Sequence, residues 1–355
     1  MQKYKISFKG QNIYVGIDVH LKTWQVTTLT ESGYKFSFAQ HADAKELFDR
    51  LNRKYPDAHF KSAYEAGFCG FSAHYALKEQ GIENIVVHAA DIPTTEKERA
   101  MKTDAVDSEK IAWALKRGEL TPIYVKDKSF MDETNLMRLR QRFIKDLARQ
   151  KSRTKQLLYT QGVTYPERFR KNGTHWSRNF MKWLREEVQL LSGEKLTLML
   201  LCDQVDNTRK AILTVTREIR RMSTTEKYQE NYQLLTTVPG FGLITSMSLL
   251  TELDNNPLRF PNERKFVAML GLIPTCHDSG EKKVNGEKTN RGNKQIGPLI
   301  VEASWVAIQR DCGLGAYYSA CCQSMKPQMA IIKVARKLAS RAYAVLKTRK
   351  EYVLP

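Results

Sequence analysis

Between Phe130 and Ser223 the chain carries a single proline, Pro166. Proline lacks an amide donor and clashes with the preceding turn, so it breaks helices. A stretch almost free of it, and rich in helix formers with interspersed apolar residues, predicts long helices. RLRQRFIKDLARQKSRTK belongs to the first, and Ser192 to Met222 to the second. They read as two halves of an antiparallel coiled coil. An irregular stretch is expected between them, with Tyr165-Pro166 and Asn172-Gly173 as turn signals. This helical connector divides the 355 residues into three expected domains, 1–128, 129–226 and 227–355.

The first domain alternates strands and helices. NIYVGIDV, WQVTTLT and YKFSFAQ read as strands, with Ser32-Gly33 turning between the last two. AKELFDRLNRKY reads as a helix stopped by Pro56, HFKSAYEA as a strand, and FSAHYALKEQG as a helix capped by Gly81. NIVVHA is a short strand, and DSEKIAWALKRGE a helix closed by Gly118. A meander followed by alternating elements predicts a mixed α/β sheet. The third domain reads as mostly helical. It holds LTTVPGFGLITSMSLLTEL and KFVAMLGLIP, a polar loop from His277 to Gln295, and helices at 296–309 and 329–347.

Charge narrows the partners. Lys plus Arg number 57 against 38 Asp plus Glu, a net +19. That excess favours a polyanion, nucleic acid before membrane. The longest apolar stretch, Leu196 to Cys202, is short and broken by Thr197, so no membrane partner is expected. MQKYKISFKG lacks the apolar core of a signal peptide. The six cysteines show no zinc spacing, which fits reduced thiols in a cytoplasmic protein.

Four carboxylates stand out. Asp18 ends an apolar strand, and Glu65 ends a later one. A carboxylate there is costly unless paired or metal-bound. Asp104 and Asp107 are spaced i, i+3 at a helix start and can face the same way. Such a set could hold two Mg²⁺ ions about 3.5–4 Å apart for phosphoryl transfer. Taken singly, Asp104 also fits an N-cap, Asp107 a partner for the helix dipole, and Asp18 a turn. TVPGFGLITSMSLL fits a helix-hairpin-helix, in which Gly240 and Gly242 let a phosphate approach the backbone, or an ordinary packing turn. Ser279 lies in a loop with Lys282, Lys283, Arg291 and Lys294. It reads as a solvated serine or as a nucleophile beside positive charge, with His277 or Asp278 able to take its proton. Arg138, Arg142 and Arg149 on the basic helix, and the acid-free run from Ile331 to Lys350, are candidate phosphate contacts.

Together these residues resemble the transposases of the insertion sequence 110 family, related to the pilin-gene invertases. YVGIDVHLKTWQV, YEAGFCGF and KTDAVDSEKIA resemble its acidic motifs. TVPGFGLITSMSLLTEL, KFVAMLGLIPTCHDSGEK and RGNKQIGPLIVEASW resemble its C-terminal transposase segment. The resemblance implies a RuvC-like, RNase H-type N-terminal fold with a DEDD set of Asp18, Glu65, Asp104 and Asp107 that binds Mg²⁺. It implies a catalytic serine, matched by Ser279, in the C-terminal domain. It further implies a prokaryotic, nucleoid-associated recombinase, a dimer or tetramer, that acts on donor and target DNA and is guided by a noncoding bridge RNA.

Three departures are visible. Ala105 and Val106 lie between the last two acids, where the family often has Arg. IGPLIVEAS lacks adjacent arginines and contains Pro298. Gln161–Leu184 has no evident counterpart. Two other readings stay open: a RuvC-like structure-specific endonuclease that uses water, for which Ser279 is dispensable, and a non-catalytic nucleic-acid-binding protein.

Overall fold

A computed structural model describes residues 8–93, 103–279, 282–288 and 292–354. The chain divides into two compact units, Met1–Lys128 and Ser129–Pro355.

The first unit contains β1 (Asn12–Val19), β2 (Thr23–Leu29), β3 (Lys35–His41), α1 (Ala44–Lys54), β4 (His59–Glu65), α2 (Ser72–Glu79), β5 (Glu83–Val87) and α3 (Asp104–Arg117). Its strands form one mixed sheet in the order β3-β2-β1-β4-β5. β1 pairs antiparallel with β2 and parallel with β4, and β4 pairs parallel with β5. Alternation along β1 sorts its two faces. Ile13, Val15 and Ile17 are fully buried in a core shared with Leu47 and Leu51 of α1 and Leu77 of α2. The opposite face carries Gly16 and is covered by α3.

That second contact depends on the glycine. A Cβ at Gly16 would stand 2.0 Å from the Ser108 carbonyl oxygen and 2.5 Å from the Ala112 nitrogen. Any larger residue would push the helix off the sheet. Buried hydroxyls fix the helix in place: Thr27 Oγ1, on the strand beside Gly16, lies 2.9 Å from both Ser108 Oγ and Ser37 Oγ. Thr103 caps α3 by accepting from the Val106 amide, and Gly118, at φ +70°, ends it.

The second unit contains α4 (Lys128–Thr160), α5 (Arg178–Glu186), α6 (Ser192–Ser223), α7 (Gln229–Thr236), α8 (Leu243–Glu252), α9 (Glu263–Met269), β6 (Pro274–Ser279), β7 (Lys282–Lys288), α10 (Ile296–Arg310), α11 (Cys312–Cys322) and α12 (Pro327–Thr348). α4 and α6 pack antiparallel. Arg140 Nε donates to Thr216 Oγ1 at 2.9 Å, Met137 shares one core with Ile219 and Met222, and Leu158 shares another with Leu198 and Cys202.

Two expectations need correction. The stretch read as irregular between the long helices contains α5 and a separate aromatic core built on Phe169, Phe180 and Trp183. The helical spacing of Phe180, Met181, Trp183 and Leu184 behind the cap Ser177 does signal α5, but the turn signals around it mask so short a helix. The polar loop expected from His277 is a two-stranded hairpin, with His277 opposite Val284 and Ser279 opposite Lys282. Its composition is almost entirely polar, so alternation gave no strand signal.

The hairpin leaves the helical body through a narrow neck. Gly271, at φ +68°, lies against Gly292 so closely that a Cβ on Gly292 would stand 2.1 Å from the Gly271 Cα. The Asn293 amide donates to the Met269 carbonyl at 2.6 Å beside it.

Candidate active site

Asp18 and Glu65 follow the last register pair of the parallel β1–β4 ladder, Ile17 opposite Tyr64. In-register residues of neighbouring parallel strands share a face about 4.8 Å apart, so both acids belong to the face that carries Gly16. α3 crosses that face with its first turn toward the strand ends, and this turn holds Asp104 and Asp107.

His20, in the turn from β1 to β2, links the two groups. Its Nε2 lies 3.1 Å from Asp18 Oδ2 and 3.4 Å from Asp104 Oδ2. Among the described residues, donor atoms of Asp18, His20 and Asp104 all fall within 4.8 Å of one another. Burial pushes the Asp18 carboxyl above the usual carboxylate range; His20 opposes this, and the charges of Asp104 and Asp107 add to it. Asp107 Oδ1 also meets Lys110 Nζ at 3.4 Å. Glu65 is exposed at the end of its strand and outside the His20 cluster.

The donor set fits a divalent cation. A half-buried carboxylate such as Asp18, raised by burial and by the acids beside it, is relieved by positive charge, and carboxylate oxygens suit hard ions. The imidazole stands between the two carboxylates, and each of the three would offer a cation one ligand atom. Gly16, His20, Thr27 and Ser108 escaped the sequence reading. A glycine inside a strand does signal close approach of another backbone, and His20 was in view within VGIDVH.

In the second unit, Ser279 ends β6 and Lys282 and Lys283 begin β7. Arg291 and Gly280 lie outside the described residues. Lys294 is exposed just ahead of α10. Gly240 is half-buried at φ +83°, and a Cβ there would stand 2.2 Å from the Ala303 carbonyl oxygen, so packing against α10 is enough to require it. Gly242 is exposed at the start of α8, with open space around it. Arg138 is paired at 2.8 Å with Glu252, whose side chain is 10% exposed. Arg149 pairs with Asp146, and Arg142 is exposed.

Comparison with known proteins fits both halves. A transposase model of the DEDD IS110 type matches residues 15–161, and that of the "Transposase IS116/IS110/IS902 family" matches residues 232–319. The chain belongs to the IS110 family of transposases. The transposase for insertion sequence element IS1533 of Leptospira borgpetersenii is 23% identical over 350 residues, 94% of this chain and 95% of that protein. The Sinorhizobium fredii protein y4qE is 24% identical over 305 residues, 82% and 71% of the two chains. The transposase for IS1111A of Coxiella burnetii is 25% identical over 211 residues, 58% and 55%. As an IS110-family transposase, the chain cuts and rejoins DNA. Among its described residues no helix is long and apolar enough to cross a membrane.

Proposed function

We propose that this IS110-family transposase is a site-specific recombinase that joins DNA through a serine ester, with Mg²⁺ at its acidic site. The observation that carries the reading is the packing of α3 on Gly16, which sets Asp104 against Asp18 across His20. The sheet order, antiparallel across β3-β2-β1 and parallel across β1-β4-β5, supports an RNase H-like domain of the RuvC kind.

Asp18, Asp104 and Asp107 would hold the ion or ions, with Glu65 reaching in from the neighbouring strand end. Mg²⁺ supplies charge stabilisation for the developing phosphorane. Ser279 Oγ attacks the scissile phosphorus and gives up its proton. The bond to the departing strand oxygen breaks, and that oxygen takes up a proton. The ester conserves the phosphodiester bond energy, and attack by an exchanged strand end releases the serine. The acids and Ser279 belong to different units, so the reading requires both at one phosphate, within a chain or between protomers of a dimer or tetramer. Guidance by a noncoding bridge RNA pairing with donor and target DNA completes the proposal. The net charge of +19 supports it, since two polyanions must be held.

The test is covalent trapping. The protein is mixed with Mg²⁺, RNA transcribed from DNA flanking its gene, and labelled donor and target duplexes, then run on a denaturing gel. A DNA-linked band that vanishes in Ser279→Ala and Asp104→Asn is expected. Free cut DNA without a linked band, unchanged by Ser279→Ala, would sink the serine ester and leave a nuclease that uses water.

A further inference from the structure

Helix α4 sorts its cations. Between Thr134 and Pro166 the sequence has eight Lys and Arg and one acid, Asp146. Some of these cations turn into the unit. Arg138 pairs with Glu252, Arg140 donates to Thr216, and Lys151 Nζ lies 5.6 Å from the centre of the Trp176 ring. Arg142, Lys145, Arg149 and Arg153 are all exposed. Their spacing of three, four and four residues puts them on one stripe of the helix. Among the described residues Arg142, Lys145 and Arg153 have no ion pair, and Arg149 shares Asp146. Three of the four acids of α6, packed alongside, are already held by other cations. Asp203 and Asp206 are bound to Arg185, and Glu218 to Arg221.

We propose that this stripe is a rail for the sugar–phosphate backbone of a nucleic-acid duplex. Eleven residues of helix rise about 16 Å. One strand of a duplex laid alongside presents roughly five phosphates over that length, at about 3.4 Å of axis each, so four cations match it closely. A protein partner fits poorly, because protein interfaces keep charge away from their centre. The proposal rests on the reading of the chain as a nucleic-acid enzyme. It adds a grip remote in sequence from both the acids and Ser279.

The experiment is salt-dependent binding of the full-length protein, followed by fluorescence anisotropy without divalent ions. Two labelled probes of about 20 base pairs are used, one DNA and one RNA. Omitting the metal separates this result from the strand chemistry proposed above. Neutralising four phosphates of a duplex contributes roughly 3.6 to the slope of log K against log salt. The quadruple change Arg142→Gln, Lys145→Gln, Arg149→Gln and Arg153→Gln should flatten the slope by that amount on at least one probe, and the probe affected identifies DNA or RNA as the cargo. The double change Arg142→Gln with Arg153→Gln should lose about half as much. Exchanging Lys and Arg along the stripe should keep the slope. An unchanged slope on both probes, in either charge-removing variant with an unaltered melting curve, overturns the rail.

Discussion

A Cβ on Gly16 would stand 2.0 Å from the Ser108 carbonyl oxygen, and one on Gly240 would stand 2.2 Å from the Ala303 carbonyl oxygen. In both units a glycine lets a helix backbone press against the element carrying a family motif. What the close approach delivers differs. In the first unit it brings Asp104 to the end of β1, where His20 spans it to Asp18. In the second it seats the α7–α8 turn on α10 and assembles apolar core. The lesson is that a glycine in a functional motif can serve the chemistry indirectly, by setting how deep a helix sits.

The largest effect that could break this comparison is Gly16→Ala. It should destabilise the first unit by about 3 kcal/mol or more, because the new methyl meets backbone rather than a movable side chain. Divalent-ion binding, read by calorimetry, should disappear with it. A normal melting curve with intact ion binding would show that α3 does not need the glycine.

Gly240→Ala should cost about as much, roughly 3 kcal/mol, since a positive φ adds to the clash. Its loss should fall on the second unit and leave ion binding at Asp18 untouched. If the variant instead melts normally and binds DNA more weakly, the phosphate-contact reading of Gly240 is the right one.

Arg138→Ala separates a packed cation from an exposed one. Losing this one pair with the largely buried Glu252 should cost on the order of 1 kcal/mol, the upper end for partly exposed pairs. The salt slope for duplex binding should not move, which is the opposite of the result expected along the rail.

The smallest effect should be a gain. Burial, with Asp104 and Asp107 adding to it, holds the Asp18 carboxyl above its usual pKa despite His20. The ionised form is therefore disfavoured by folding. Its penalty is present at neutral pH and fades as pH falls through the raised pKa. Asp18→Asn should raise the melting temperature slightly at pH 7 while abolishing DNA cleavage. The gap to the wild type should close toward pH 4.

The element plan was legible because its signals are local. The long helices declare themselves through periodicity and missing prolines, and the ends of α2 and α3 through Gly81 and Gly118. Asp18 and Glu65 could be picked out because a charge closing an apolar strand is costly to desolvate unless something nearby compensates it. What stayed hidden depends on tertiary partners. Arg138 and Arg142 are one helical turn apart and look alike in sequence, yet the first meets Glu252 and the second meets solvent. The contact of His20 with both acids exists only after α3 settles on Gly16. The aromatic core between the long helices draws Phe169 and Trp176 from outside any α-helix, where no period marks them.

The neck at Gly271 and Gly292 gives the hairpin an unusual freedom in evolution. Its two ends are pinned at one point on the helical body, so what lies beyond them resembles a cassette on a fixed socket. Lengthening a loop whose ends are already held costs little, about 0.6 kcal/mol per doubling. Hairpins of other lengths and charges could thus be exchanged there without disturbing α9 or α10. Relatives could differ in length between the two glycines so long as a serine still ends the first strand, while the pair itself resists replacement.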